Sequence, residues 1–202
     1  MSRYDFNAPR LFVEADLAPG TRIACTPDQA NYLRNVLRLE AGDGILIFNG
    51  RDGEWHARIG ETGKRAATLE PQQQARPQDA GPDIDYLFAP LKRARLDYMV
   101  QKATEMGVAR LRPVFTRRTT PERINSGRMR ANAIEAAEQC GILRVPGIMP
   151  PEKLERVVAA WDPDRTLIFC DEDSEASSPV TALEKVARGP LALLIGPEGG
   201  FD

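Results

Sequence analysis

The pattern of apolar and polar positions changes character partway along the chain. Up to about residue 70, short runs of strand character alternate with turn signals. The runs are Arg10-Leu11-Phe12-Val13, Thr21-Arg22-Ile23-Ala24-Cys25, Gly44-Ile45-Leu46-Ile47-Phe48 and Glu54-Trp55-His56-Ala57-Arg58-Ile59. Pro19-Gly20, Gly42-Asp43-Gly44 and Asn49-Gly50-Arg51-Asp52-Gly53 separate them. One helix is predicted among them, from about Pro27 to Leu39, with Tyr32, Leu33, Val36 and Leu37 at helical spacing and Thr26 as its N-cap. Residues 1–70 therefore read as a small, mostly β barrel.

Residues 71–82 hold three prolines, a glycine and four glutamines, which is the composition of a linker. Beyond them, over 83–202, strands alternate with helices. Tyr86-Leu87-Phe88-Ala89 precedes a helical pattern from Lys92 to Met106, and Leu111 to Phe115 precedes helices from about Glu122 to Cys140 and Pro151 to Trp161. Thr166 to Cys170, a helix near Val180 to Ala187, and Leu191 to Ile195 follow. This alternation predicts an α/β domain with a parallel sheet covered on both faces, whose ligands sit beyond the carboxyl ends of the strands.

The length, 202 residues, accommodates two such small domains. At 42% hydrophobic and 28% charged residues, with no apolar run long enough to span a bilayer, the chain falls outside the membrane and fibrous classes. Its first residues, Met1-Ser2-Arg3-Tyr4-Asp5, open no apolar secretory core, so a cytoplasmic location is expected. Cys25, Cys140 and Cys170 are odd in number and widely spaced, and are expected to be buried thiols with neither a disulfide framework nor a metal site. A single histidine, His56, lies in a strand-like run, which leaves a Ser-His-Asp triad or a histidine-rich metal centre without material. Chemistry must draw on Arg, Lys, Asp, Glu, main chain or a cofactor.

The net charge of -2 conceals an uneven distribution. Residues 91–130 carry eleven basic and three acidic side chains, whereas residues 131–202 carry six and thirteen. A basic block in a neutral protein is what one polyanion-facing surface requires, although a solvated helix face reads the same way. Arginine supplies 22 of the 27 basic residues, which suits bidentate phosphate contacts.

The sharpest local signal is Leu191-Ala192-Leu193-Leu194-Ile195-Gly196-Pro197-Glu198-Gly199-Gly200-Phe201, a buried strand running into a glycine loop. Such a loop brings main chain close to a ligand, and its plain structural alternative is a tight turn. It matches neither of the glycine patterns that bind phosphate. Glu198 holds the turn or orients a ligand more readily than it acts as a general base. In an α/β domain this loop leads into a further helix, so the chain reads as continuing beyond Asp202.

The ordered set Leu87-Phe88-Ala89-Pro90-Leu91-Lys92, Gln101 to Val108, Thr116-Arg117-Arg118-Thr119, Glu135 to Gly141 and Ile195 to Phe201 resembles the RsmE family, small-subunit ribosomal RNA uridine N3-methyltransferases of the SPOUT class. Pro9 to Val13, Tyr32 to Arg38, Gly42-Asp43 and Phe48-Asn49-Gly50 extend the resemblance through the amino-terminal half. It implies a PUA-like barrel that binds RNA, then a SPOUT α/β domain whose trefoil knot binds S-adenosylmethionine within a homodimer. The family's segment that completes the knot has no counterpart before Asp202, and Ile142 stands where many relatives carry arginine, with Arg144 two residues on.

On this resemblance the cofactor wall is expected at Leu194, Gly196, Pro197, Glu198, Gly199 and Gly200. RNA contacts are expected from Arg10, Arg34, Arg38, Lys92, Arg93, Arg117 and Arg118, the partner being small-subunit rRNA or the assembled subunit. Arg117, Arg118 or Arg123 is the candidate to stabilise a developing uridine anion, and each serves equally as a phosphate contact. Trp55 fits a core residue as well as an RNA contact. Two other classes stand beside this reading: a non-catalytic RNA-binding protein with an α/β assembly domain, and an α/β enzyme using a nucleotide cofactor.

Overall fold

The computed structural model describes residues 8–63, 66–117, 119, 124–170 and 178–197. The chain divides into two compact units, Met1–Ala80 with Ala137–Arg144, and Gly81–Ala136 with Val145–Asp202.

The first unit is built on strands β1 (Arg10–Phe12), β2 (Ile23–Ala24), β3 (Gly44–Phe48), β4 (Glu54–Thr62) and β5 (Ala67–Arg76). They form one mixed sheet in the order β1-β3-β4-β5-β2, with β1 and β3 parallel and the remaining pairs antiparallel. Leu11, Val13, Ile23, Leu33, Ile45, Ile47, Ile59 and Leu69 fill its core. Trp55 packs against that core and donates its indole N–H to the Asp52 carbonyl at 2.9 Å, so its core role holds. Gly53 is required where β4 begins: its φ is +78°, and a Cβ there would lie 2.3 Å from the Arg76 carbonyl oxygen.

Two expectations for this unit need correction. The stretch 71–82 is not wholly linker, because β5 continues to Arg76. Pro71 is tolerated because β2 pairs only with Thr68 and Leu69, so no ladder partner on that side needs the missing N–H. A register shift beside Ala57 and Pro71 absorbs the irregularity. The helix expected over 27–39 is a five-residue α-helix, α1 (Pro27–Asn31), followed by a wider π-helical turn over Tyr32–Val36. Thr26 caps it as expected, in a reciprocal capping box with Gln29. Arg38 then reverses the chain at φ +56°, the one non-glycine positive φ among the described residues.

The second unit runs β6 (Ile84–Phe88), α2 (Arg93–Glu105), β7 (Arg110–Phe115), α3 (Ser126–Cys140), β8 (Gly147–Ile148), β9 (Glu152–Lys153), α4 (Leu154–Ala159), β10 (Thr166–Cys170), α5 (Pro179–Leu183) and β11 (Leu191–Ile195). The strands form the order β10-β11-β6-β7-β8, parallel throughout, and β9 also joins β7 in parallel. This is the α/β arrangement the alternation predicts. Leu87 and Phe88 serve separate clusters, Phe88 with Val100, Leu111 and Met129, Leu87 with Val114, Val157 and Leu194. Successive strand side chains point to opposite faces, so both faces of β6 are buried.

The helices expected over 151–161 and 180–187 shorten to α4 and α5, since β9 takes Glu152 and Lys153. The cysteines also depart from expectation, Cys25 being half-buried while Cys140 and Cys170 are exposed, one ending α3 and the other ending the outermost strand β10. Burial alone pushes the Cys25 thiol up to about 11. Among the described residues, no helix is long and apolar enough to cross a membrane.

Candidate cofactor and RNA site

The strand order brings β6 and β11, the first and last strands of this sheet in the chain, side by side. From β6 the chain winds through α2 to β7 and on to β8, while β10 and β11 lie on the other side. A parallel α/β sheet binds ligands in a crevice beyond the carboxyl ends of its strands, and β11 and β6 present theirs together. Ile195 is in register with Phe88, and the Ala89 N–H donates to the Ile195 carbonyl at 3.2 Å, so the segments leaving both strands start side by side.

Gly196 and Pro197 follow β11 at this crevice and are half-buried, beside the more exposed Ile195. Glu198, Gly199 and Gly200 lie outside the described residues. Leu194, expected on the cofactor wall, packs its side chain into the core with Leu87, Val114 and Val157. After β6 come Ala89 and Pro90, and then Lys92 and Arg93, both exposed where α2 begins. After β7 comes Arg117, also exposed, in a turn held by the Thr119 hydroxyl, which accepts from the Thr116 N–H at 3.0 Å. Arg118 and Arg123 lie outside the described residues. The structure thus brings Gly196, Pro197, Lys92, Arg93 and Arg117 to the carboxyl ends of β11, β6 and β7.

Much of the basic block serves structure instead. Arg110 and Arg112 pair with the buried Asp85, Arg110 and Arg165 pair with Asp83, and Lys102 pairs with Glu105. The hydrogen bond from Arg165 holds the Asp83 carboxyl below the usual carboxylate range, against the opposing effect of burial. Arg128 likewise hydrogen-bonds Asp97, through Nε at 2.8 Å and Nη2 at 2.5 Å, and lowers its pKa.

In the first unit, Arg34 and Arg38 are exposed and line an open cleft of about 640 Å³ with Asn35, Glu40, Thr62 and Gly63. The π-helical turn presents Arg34 and Asn35 there, and the positive φ directs the chain at Arg38. Both are unusual backbone forms, and such forms recur at functional sites.

Arg10 is a correction, because it is buried and not at an RNA surface. Its Nε pairs with Glu54 at 2.6 Å and its Nη groups donate to the carbonyls of Ala137, Glu138 and Ile142, the last two at 2.9 and 3.1 Å. The guanidinium lies 4.4 Å from the centre of the Phe48 ring. Arg76 completes the cluster, with Nε 2.8 Å from Glu54 and Nη2 2.8 Å from the Gly141 carbonyl. The two arginines satisfy carbonyls at and just beyond the end of α3, where partial negative charge collects. Glu138 accepts from the Phe12 N–H at 2.8 Å, a main-chain role its place in a predicted helix did not disclose.

Residues 79–202 match the family model for the RNA methyltransferase domain, and residues 26–72 match that for the RNA methyltransferase PUA domain. The chain belongs to the RNA methyltransferase family. Its relatives include the ribosomal RNA small subunit methyltransferases E of Rickettsia conorii and Synechocystis, each 27% identical over 198 and 199 residues. These matches take in 95% and 96% of this chain, and 79% and 65% of those proteins. A Legionella pneumophila methyltransferase solved with bound SAM is 26% identical, with a TM-score of 0.83 over 97% of this chain and 82% of that one. The Neisseria gonorrhoeae ribosomal RNA small subunit methyltransferase E shares the fold at 21% identity, with a TM-score of 0.84 over the same shares. The resemblance to the RsmE family is borne out, and the enzyme reading prevails over a non-catalytic RNA-binding protein.

Proposed function

We propose that this chain transfers a methyl group from S-adenosylmethionine to N3 of a uridine in small-subunit ribosomal RNA. The supporting observation is the carboxyl edge of the parallel sheet, where Gly196 and Pro197 follow β11 and the exposed cations Lys92, Arg93 and Arg117 follow the neighbouring strands β6 and β7. The names of the relatives and the SAM-bound neighbours agree with it.

The residues fit the cofactor chemically. A half-exposed glycine main chain and the apolar Ile195 suit an adenine ring and a cationic sulfur, neither of which calls for a phosphate-binding motif. Gly196 and Pro197 would form the described part of the wall, continued by Glu198, Gly199 and Gly200. When bound, S-adenosylmethionine supplies a methyl carbon already activated on a positively charged sulfur. The protein therefore needs no histidine acid. Its work is to hold the base in line and to stabilise N3 as its proton leaves to water. Arg117, exposed just beyond β7, takes that electrostatic task, with Arg118 and Arg123 as the other candidates. Arg34, Arg38, Lys92 and Arg93 contact RNA phosphates. The enzyme acts as a cytoplasmic homodimer, with its PUA-like part ending before the SPOUT domain begins near residue 83 and a knot completing the cofactor site.

The test is methyl transfer from labelled S-adenosylmethionine to small-subunit rRNA, with the digested nucleosides resolved by mass spectrometry. Label in 3-methyluridine is the expected result, and label in another nucleoside contradicts the assignment. Arg117→Ala is expected to lower the rate by roughly 100-fold at unchanged RNA affinity. Weaker RNA binding with a shallower salt slope would assign Arg117 to phosphate instead.

A further inference from the structure

Beside the crevice, a cavity of about 270 Å³ lies between the first turns of α2 and α3. Pro90, two residues beyond β6, forms part of its wall, so it adjoins the segment that starts alongside Gly196. Leu91, Leu96 and Met129 line it with apolar surface, and Arg93, Asn125 and Arg128 add polar groups. We propose that this cavity receives the base of the nucleotide to be methylated, a uracil turned out of its stack, with Arg93 at the mouth meeting the attached phosphate. The proposal rests on the rRNA uridine reading and deepens it.

Four observations carry it. The first is position: a base whose edge is modified must leave its stack and enter a pocket next to the methyl donor, and this cavity adjoins the candidate donor site. The second is size, since the volume lies just under the roughly 300–1,000 Å³ of sites for drug-sized ligands and suits a single pyrimidine ring.

The third is charge. Asp97 also lines the cavity and takes up Arg128 through its Nε and Nη2, with the Asn132 amide donating to the same carboxylate at 2.8 Å. That pair is neutral, so the interior suits an uncharged ring better than a phosphate, and the carboxylate is already engaged. The fourth is hydrogen-bond polarity. Asn125 Oδ1 accepts from the Arg128 N–H at 3.0 Å, which leaves its Nδ2 as the end able to donate. The first turn of α2 has neither an acidic residue nor a side-chain cap on its N–H groups. Donors facing a pyrimidine edge match the two carbonyls that flank N3 of uracil, whereas cytosine presents an amino donor in place of one of them.

The experiment uses the full chain and two readouts. Methyl-labelled protein is titrated with uridine 5′-monophosphate and, separately, with cytidine 5′-monophosphate by NMR. The uridine nucleotide is expected to shift the methyl signals of Leu91, Leu96 and Met129 more strongly. Unmoved signals, or an equal response to cytidine, overturn the proposal, and this readout is independent of any activity. In parallel, Leu91→Trp fills the cavity and Asn125→Asp keeps the α3 cap while removing the amide donor. Each is expected to lower methyl transfer at saturating rRNA by roughly 100-fold, with S-adenosylmethionine and rRNA affinities unchanged. Full activity in both variants overturns the proposal, whereas a wild-type protein that methylates no rRNA contradicts the functional reading itself.

Discussion

Glu54 is fully buried and carries its charge between two arginines, Arg10 and Arg76, which also donate to main-chain carbonyls of the 137–144 segment. Removing one member of such a cluster leaves the others desolvated and underpaired, and that cost exceeds the net worth of the intact set. Glu54→Gln is therefore expected to destabilise the protein by about 3–5 kcal/mol in urea unfolding. A loss below about 1 kcal/mol, the ceiling for exposed pairs, would contradict a buried role. Arg38 presents the opposite case. Its positive φ is unfavourable for any residue with a Cβ, so Arg38→Gly is expected to gain about 1 kcal/mol of stability while weakening rRNA binding. Thermal unfolding and filter binding on the same variant check both directions, and a less stable variant would remove strain from the account of this cleft.

At the scale of elements, exposed and half-exposed ion pairs tie the second unit together. Asp97 and Arg128 join α2 to α3, and Asp83 with Arg165 joins the start of β6 to the start of β10. Hydrogen bonds from Arg128 and Arg165 are the chief cause holding these carboxyls below their ordinary value. A depressed carboxyl pKa contributes stability above its unfolded value, about 3.9, and that contribution is lost as pH falls through the folded value. Unfolding midpoints are expected to hold from neutral pH to about 5 and to fall below about 4. Asp97→Asn is expected to flatten that fall, and an unchanged acid profile would contradict the assignment.

The elements also show what a sequence carries. The parallel sheet was legible because Tyr86 to Ala89, Leu111 to Phe115, Thr166 to Cys170 and Leu191 to Ile195 are apolar runs bounded by helical patterns. The second half of β5 was not legible, because Gln72, Gln73 and Gln74 are exposed on a strand whose far side is unpaired there, so its composition is that of a loop. The burial of Arg10 is hidden for a related reason, since an arginine beside Leu11 and Phe12 does not reveal a buried carboxylate 44 residues away. The tie between Asp97 and Arg128 spans 31 residues and was equally invisible, although Asp97 stands in the basic block itself.

For the whole molecule, family membership and the strand order point to one place for chemistry, the carboxyl ends of β6, β7 and β11. The charge distribution alone indicated a polyanion partner without marking which cations are exposed. Only the structure separates Lys92, Arg93 and Arg117 from the arginines held by Asp83, Asp85 and Asp97. The most direct test of the central claim is deletion of the gene in its host, followed by mass spectrometry of nucleosides from purified small-subunit rRNA. The account predicts loss of 3-methyluridine and its return when the intact gene is restored. An unchanged level of 3-methyluridine would contradict it.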